Sequence, residues 1–159
     1  MRKIILLLCL AVAFSCKSKK TATDKPVVKA PEKPSNLVKP EDVEAIKKDR
    51  AYDIGTRLLE SCNTSRFRAF SSSEVTDKVR HNATKEKISA ICKKINQRNG
   101  RFLGIRLIDI TRDKKTKELI FRYNIDYEKK LYKRELNVTV NAENKVSAIS
   151  TKEVATKPL

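Results

Sequence analysis

The chain has 159 residues and a formal net charge of +17, from 36 Lys and Arg against 19 Asp and Glu. This length allows one domain with a tail and excludes a two-domain enzyme, since domains commonly contain about 100 to 200 residues. With three glycines and neither G-x-G-x-x-G nor G-x-x-x-x-G-K-S/T, the sequence also excludes the glycine-rich nucleotide-binding folds.

The N-terminus has the pattern of an export signal. Arg2 and Lys3 give it a positive start, and residues 4–14 form an uninterrupted apolar run. This run is too short for a membrane-spanning helix, which needs about 20 residues. We therefore predict that residues 1–15 are a signal peptide.

A candidate lipid attachment site closes this signal. The run Ala13-Phe14-Ser15-Cys16 resembles the lipobox of bacterial lipoproteins, in the looser form common in Bacteroidetes-like bacteria. The resemblance implies that Cys16 receives diacylglycerol and becomes the first residue of the mature chain. Two or three acyl chains would then hold the protein firmly on a membrane. The alternative is an ordinary signal peptide that is cleaved nearby, with Cys16 unmodified.

The lysines after Cys16 bear on location. Lys17 is not the Asp that retains lipoproteins at the inner membrane of well-studied Gram-negative bacteria, so the resemblance implies the outer membrane. Surface-export signals of Bacteroidetes-type lipoproteins are acidic, whereas Lys17, Lys19 and Lys20 are basic. We therefore expect a lipid-anchored protein of the bacterial cell envelope, at the outer membrane and facing the periplasm.

Residues 16–40 have the composition of a tether. They contain four prolines and seven lysines against Asp24 and Glu32, with hardly any large apolar side chain. Such a segment buries too little surface to offset the entropy of ordering it. Its lysines would contribute roughly 1 kcal/mol each beside an anionic leaflet. A spacer without a binding role is the alternative.

Helical periodicity begins at Glu41, directly after Pro40, and predicts a long helix that ends at Asn63-Thr64-Ser65. Apolar residues at three- and four-residue steps place one stripe of this helix against a core. The stripe comprises Val43, Ile46, Ala51, Ile54, Leu58, Leu59 and Cys62.

Two further helices are predicted before residue 100. Ser71-x-x-Glu74 fits a capping box and predicts a short helix to about Val79. Thr84 is the expected N-cap of the next helix, and Asn99-Gly100 its end. The core-facing stripe of this last helix is Ile88, Ile91, Cys92 and Ile95.

Phe67 and Phe70 alternate with arginines between these helices. Aromatic rings beside cations can stack on nucleic-acid bases. We favour the simpler interpretation that both rings fill the core while Arg66 and Arg68 face water. Export also makes intracellular nucleic acid an unexpected partner.

After Gly100 the apolar period changes from 3.6 to 2, which predicts consecutive strands. Strands are expected at residues 102–111, 118–127 and 146–151, with another between the last two. The inward residues predicted for the middle strands are Leu119, Phe121, Tyr123, Ile125, Tyr127, Tyr132, Leu136, Val138 and Val140. The fold class is α+β, with N-terminal helices packed on a curved four-stranded antiparallel sheet. This domain spans residues 41–152, and residues 153–159 form a flexible tail.

This order of elements resembles small secreted members of the nuclear-transport-factor-2-like, or cystatin-like, superfamily. The similarity covers about residues 41–151, and the nearest pattern is that of bacterial domains of unknown function. The resemblance implies a cystatin-like roll. It is weak for function, because this fold hosts isomerases, dehydratases and ligand-free interaction modules.

Enzymes of that superfamily place an Asp with a Tyr or His in an apolar pocket. The candidates here are Tyr123, Tyr127, Asp109 and Asp126, but Asp126 alternates to the face opposite the two tyrosines. His81 is the only histidine, and the chain has no Cys-x-x-Cys, so we expect neither a metal site nor a cofactor.

Cys62 and Cys92 lie on the two main apolar stripes. In an oxidising periplasm they could form a disulfide that contributes about 2 to 4 kcal/mol. The alternative is a pair of buried free thiols, because sequence does not reveal the Cα spacing.

The domain from residue 41 has 27 Lys and Arg against 17 Asp and Glu. Arg106, Arg122, Lys133 and Arg134 are the candidate contacts for an anionic envelope lipid or an acidic protein. A solvated basic face without a partner is the alternative.

These observations predict a lipid-anchored envelope protein that acts as a noncatalytic binding or assembly module, rather than an enzyme. The alternatives are a small-ligand carrier or pocket enzyme on the same fold, or a basic module that binds envelope polyanions. A carrier or enzyme needs an open cavity, whereas a module needs a filled core and an exposed contact surface.

Overall fold

The computed structural model describes residues 36–130 and 132–154. In chain order the elements are strand β1 (Leu37–Val38), a 3-10 helix (Pro40–Asp42), helices α1 (Ala45–Thr64), α2 (Asp77–Asn82) and α3 (Lys85–Asn99), and strands β2 (Phe102–Arg112), β3 (Leu119–Tyr127), β4 (Lys133–Val140) and β5 (Val146–Val154). The predicted signal peptide, Cys16 and residues 16–35 of the predicted tether lie outside the described residues.

The strands form one antiparallel sheet in the order β1-β2-β3-β4-β5. The α+β class is therefore confirmed, but the predicted number of four strands is wrong because β1 adds a fifth. β1 is formed by Leu37 and Val38, which pair with Thr111 and Ile110. Two residues are too few to show an alternating pattern, and their partners lie more than seventy positions away, so the sequence gives no local signal for this strand.

The strand interiors follow the predicted alternation closely. All five residues expected inward on β3 are buried, and so are Leu136, Val138 and Val140 of β4. The prediction that Tyr132 points inward is wrong, because this residue precedes β4 and is 40 % exposed. The last strand is also longer than predicted. β5 continues to Val154 and pairs Glu153 with Arg134, although a flexible tail was expected from residue 153.

Helix α1 begins later than the sequence predicts. Pro40 opens only a 3-10 turn, and Val43 then adopts extended backbone angles (φ −108°, ψ 132°) with its side chain buried. The α-helix starts at Ala45, so a continuous helix from Glu41 is wrong. Burying Val43 in the core interrupts the helical path that the Pro-Glu-Asp start favours.

Most of the α1 stripe packs on the sheet as expected. Ala51 and Ile54 are fully buried. A Cβ atom built on Gly55 would lie 2.7 Å from Leu136 Cδ2, so a larger residue there would force the Leu136 side chain or the helix to shift. Ile46 of α1 and Ile91 of α3 are exceptions to the predicted stripes, because each is 51 % exposed.

The segment between α1 and α2 is held by packing and charge. Phe70 is buried and meets Phe67 edge to face at 5.4 Å, which confirms their predicted core role. The Ser71 N–H donates to the Glu74 carboxylate, as a capping box requires, but no helix begins there. Val75 instead bridges to Val146, and α2 starts at Asp77.

Arg57 joins this segment to α1. Its guanidinium donates to Glu74 at 2.5 Å and to Asp53 at 3.0 Å, and lies 5.3 Å from the centre of the Phe70 ring. The hydrogen bond from Arg57 is the main reason that the pKa of Glu74 falls to about 2. A carboxylate with a lowered pKa stabilises the fold wherever it is ionised.

We predict that Glu74→Gln lowers the free energy of unfolding at pH 7 by about 1 to 3 kcal/mol, the range for a hydrogen-bonded charge. The contribution is complete above the ordinary glutamate pKa near 4.5 and is lost as the pH falls toward 2. Urea unfolding of the parent chain and of Glu74→Gln between pH 2 and 7 measures how the difference in their free energies of unfolding shrinks toward pH 2. Asp53→Asn removes a more exposed partner of the same arginine and should cost about 0.5 kcal/mol. A constant difference between Glu74→Gln and the parent chain across this pH range would contradict the prediction.

Helix α3 has the ends that the sequence predicts. The Thr84 hydroxyl accepts the N–H of Lys87, and the Gly100 N–H donates to the Asn96 carbonyl. Gly100 has a φ of +74°, and a Cβ there would meet the Glu128 side chain. The chain can therefore turn from α3 into β2 only with glycine at this position.

Candidate functional site

The core between helices and sheet is filled rather than open. Phe121, Ile54, Leu136 and Val138 fill the region under α1 with no exposed surface. The available surface lies at the side of the domain, beside strand β5.

A groove runs between the helices and β5. It has a volume of about 270 Å³ and an apolar floor from all three helices. Its sheet wall is formed by residues 147–151 of β5. The helical residues that define it best are Leu58, Val79, Ala83, Ile88, Ile91 and Ile95.

The sheet wall of this groove is an unpaired strand edge. β5 is the last strand, and among the described residues its outer edge is occupied only at Val146, where Val75 forms a parallel bridge. The Thr76 N–H donates to the Val146 carbonyl at 2.9 Å, and the Val146 N–H donates to the Glu74 carbonyl at 3.0 Å. From Ala148 onward, no other strand of residues 36–130 and 132–154 pairs with this edge.

The rim of the groove combines an apolar side chain with cations. Ile91 is half exposed although it lines the groove. Lys87 and Lys94 lie four residues before and three after it on α3, so both neighbour it on the helix surface. Lys78 of α2 also lines the groove. The rim therefore favours anionic groups beside apolar ones.

A disulfide fixes the helices that carry this groove. Of the two alternatives that the sequence left open, the structure contains the Cys62–Cys92 bond, with a Cα–Cα distance of 4.8 Å. Both cysteines line the groove, and Ile88 packs with them in a small apolar cluster. Asn96 strengthens the same junction by donating to the Cys62 carbonyl at 2.8 Å. The bond therefore sets the spacing of α1 and α3 at the groove floor.

The candidate acid–base residues are separated by the sheet. Tyr123 and Tyr127 are buried on the helix side, where burial raises the pKa of Tyr123 well above its usual range and that of Tyr127 to about 12. Asp126 receives two hydrogen bonds from Arg106 on the other face, at 2.9 and 3.0 Å. These bonds lower the pKa of Asp126. Asp109 likewise binds Arg122, so neither candidate aspartate is paired with Tyr123 or Tyr127.

The four predicted polyanion contacts do not form one free patch. Arg106 binds Asp126, while Arg122 binds Asp109 and lies 3.6 Å from Glu135. Arg134 pairs in register with the buried Ile125, which places it on the helix side of the sheet near Glu153. Lys133 alone keeps an exposed ammonium without a carboxylate partner among the described residues. Arg134 lies on the helix side because it has the same parity on β4 as the inward-facing Leu136.

Neither a metal cluster nor a membrane span occurs in the part of the chain that the structure describes. No group of three or more His, Cys, Asp and Glu could hold a metal ion there. His81 is exposed, and its Nδ1 lies 2.7 Å from the Asp77 carbonyl of its own helix. Likewise, none of the described helices is long and apolar enough to cross a membrane.

Comparisons with protein-family models, curated proteins and solved structures found no match to this chain. Sequence reasoning missed the groove because its sheet wall depends on which strand lies at the edge. The one available signal was Ile91, an apolar residue flanked by Lys87 and Lys94 at helical spacing.

Proposed function

We propose that the protein is a noncatalytic binding module of the bacterial cell envelope, held on a membrane through lipidated Cys16, that binds an extended segment of a partner protein. The observation that carries this proposal is the continuity between the apolar groove and the unpaired edge of β5. A segment added to this edge would form main-chain hydrogen bonds with β5 and place alternate side chains in the groove.

The chain already uses this edge in the same way. Val75 runs parallel to Val146 and exchanges main-chain hydrogen bonds with it through its neighbours. α2 then leaves the edge, and the groove opens beside Ala148 and the residues that follow. A partner segment would continue the line of Val75 along β5.

The size and charge of the groove favour a peptide over a small ligand. Its volume of about 270 Å³ is at the lower limit of the roughly 300 to 1,000 Å³ of small-molecule pockets, whereas its open strand edge suits a peptide. Lys78 lines the groove, and Lys87 and Lys94 neighbour Ile91 on the surface of α3. We therefore infer a segment in which apolar residues alternate with acidic ones.

Two further observations support the wider proposal. Disulfides persist mainly in oxidising compartments, so the Cys62–Cys92 bond supports export. Helices followed by an antiparallel meander support a variant of the cystatin-like roll, which we propose as the fold.

Selection of random displayed peptides on the intact chain tests the groove. We expect enriched peptides with alternating apolar and acidic residues, and hydrogen-exchange protection of main-chain amides in residues 148–154 when they bind. Ile91→Asp should weaken binding about 10-fold or more, because it places a charge beside buried apolar contacts. Ile46→Asp is the matched control, since Ile46 is also a helical isoleucine with 51 % exposure but lies outside the groove.

Three results would overturn peptide binding at this site. One is a selection that enriches nothing, and another is an equal loss of affinity in Ile46→Asp and Ile91→Asp. The third is saturable binding of decanoate in the groove without protection of the β5 amides, which would establish a small-ligand carrier.

A further inference from the structure

A second surface lies at the end of the sheet where β2 and β4 begin. Four exposed cations gather there: Arg101 before β2, Lys129 and Lys130 after β3, and Lys133 at the start of β4. Strand pairing places these positions at the same end of the sheet, because Phe102 pairs with Tyr127 and Lys133 pairs with Val154. We refer to these four residues as the basic end.

The basic end is not neutralised by the described chain. None of its four cations lies within 4.0 Å of a described carboxylate. Three carboxylates occur nearby and each has other partners. Glu128 accepts the Arg101 main-chain N–H, Glu153 binds Arg98 and Arg134, and Asp126 binds Arg106. Lys129 Nζ donates to the neutral Gln97 carbonyl at 3.2 Å, so all four cations keep their net charge available to a partner.

Two large side chains are exposed among these cations. Leu103 is 64 % exposed. It lies at a register shift between Phe102 and Gly104, where the regular alternation of β2 is interrupted. Tyr132 is 40 % exposed, and the Arg98 guanidinium lies 4.4 Å from the centre of its ring. Neither side chain contributes to the core, so both are available at the same end as the cations.

We propose that the basic end docks on the surface of an anionic phospholipid bilayer. The four cations would contact lipid phosphates, while Leu103 and Tyr132 enter the headgroup region, where amphipathic rings and aliphatic tips are favoured. A soluble polyanion would satisfy the cations but leave Leu103 in water. The combination of charge with exposed apolar tips therefore favours a bilayer.

This contact is compatible with an anchor at Cys16. The chain enters the fold at β1, which pairs with Ile110 and Thr111 at the opposite end of the sheet. A nine-residue strand such as β3 spans about 30 Å, and the 20 positions from Cys16 to Asn36 can reach at most about 70 Å. The basic end can thus reach the bilayer that holds the anchor, and it supplies a second, weaker attachment.

Vesicle sedimentation tests the surface. The probe is the chain from residue 16 with Cys16→Ser, which contains every described residue, and vesicles of phosphatidylcholine with and without phosphatidylglycerol. We expect binding only to the anionic vesicles, and weaker binding in high salt because the charges are exposed. Lys129→Gln with Lys130→Gln should reduce binding about 25-fold, since each lysine at an anionic surface contributes about fivefold.

A matched pair of lysines provides the control. Lys114→Gln with Lys115→Gln removes the same charge from the turn after β2, at the other end of the sheet, and should change binding less than about threefold. Leu103→Ser should weaken vesicle binding and leave retention on soluble polyphosphate unchanged.

The proposal is overturned if the two lysine pairs have equal effects, because binding would then follow net charge alone. It is also overturned if the chain does not bind anionic vesicles, or if Leu103→Ser binds them as tightly as the parent chain does. The last result together with tight polyphosphate binding would identify a soluble polyanion as the ligand. Thermal unfolding of each variant shows that the fold is intact.

Discussion

Replacing Cys62 and Cys92 together by alanine is expected to lower the free energy of unfolding by about 3 to 4 kcal/mol. The bond closes a loop with a sequence separation of 30, and loop-closure entropy for that length gives a value in this range. Domains of this size are stable by only about 5 to 15 kcal/mol. The disulfide is therefore a large part of what keeps the fold assembled.

Urea unfolding at pH 7 measures this loss. Two controls isolate the bond from the packing of the sulfurs: Cys62→Ala alone, and the parent chain under a reducing agent. Both break the same cross-link and should lose nearly as much stability as the double variant. A loss below about 1 kcal/mol in all three would mean that the cross-link does not constrain the unfolded chain.

The second large effect concerns attachment to the membrane. Cys16→Ser should abolish the lipid mass increment and release most of the protein from membranes. Each buried methylene contributes about 0.8 kcal/mol, so two or three acyl chains bind far more tightly than one. Intact mass measurement and membrane fractionation of both chains check this expectation.

A salt wash of the membrane fractions also distinguishes attachment through the lipid anchor from attachment through the basic end. Protein that remains on membranes in Cys16→Ser should be extracted by high salt, because only exposed charges and two side chains would hold it. Lipidated parent protein should resist the same wash. Unmodified, salt-extractable protein in both samples would refute lipidation at Cys16.

The sheet was largely predictable because its signal is local. From Phe121 to Tyr127 apolar and polar side chains alternate without a break, and the structure buries every residue that was predicted to point inward on this strand. The α3 caps, Thr84 and Gly100, were predictable for the same reason, since each acts within one helical turn. Such features depend on near neighbours in the sequence.

The errors lie where distant residues compete with local preference. Pro40 and Glu41 favour a helix start. Because Val43 is buried with an extended backbone, α1 begins only at Ala45. The Ser71–Glu74 capping hydrogen bond forms, yet the pairing of Val75 with Val146 prevents a helix there. Local energies of about 1 kcal/mol for a cap are easily overridden by tertiary packing.

The candidate sites depend on register, which the sequence did not reveal. Arg106 and Arg122 were candidate contacts for a polyanion, and antiparallel pairing places Asp126 and Asp109 within hydrogen-bonding distance of them. The groove required knowledge that β5 is an edge strand and that α2 and α3 stand beside it.

The position of the disulfide along the chain has a consequence for assembly. Both cysteines precede β2, whereas α1 buries Gly55 against Ile105, Leu136 and Val138 of later strands. Chains emerge from synthesis with the N-terminus first. Oxidation can thus join α1 to α3 while the apolar stripe of α1 is still in water, and the β2–β5 hairpins then condense onto a pair of helices whose spacing is already set. An oxidase, rather than the sheet, would be the first factor to fix the architecture.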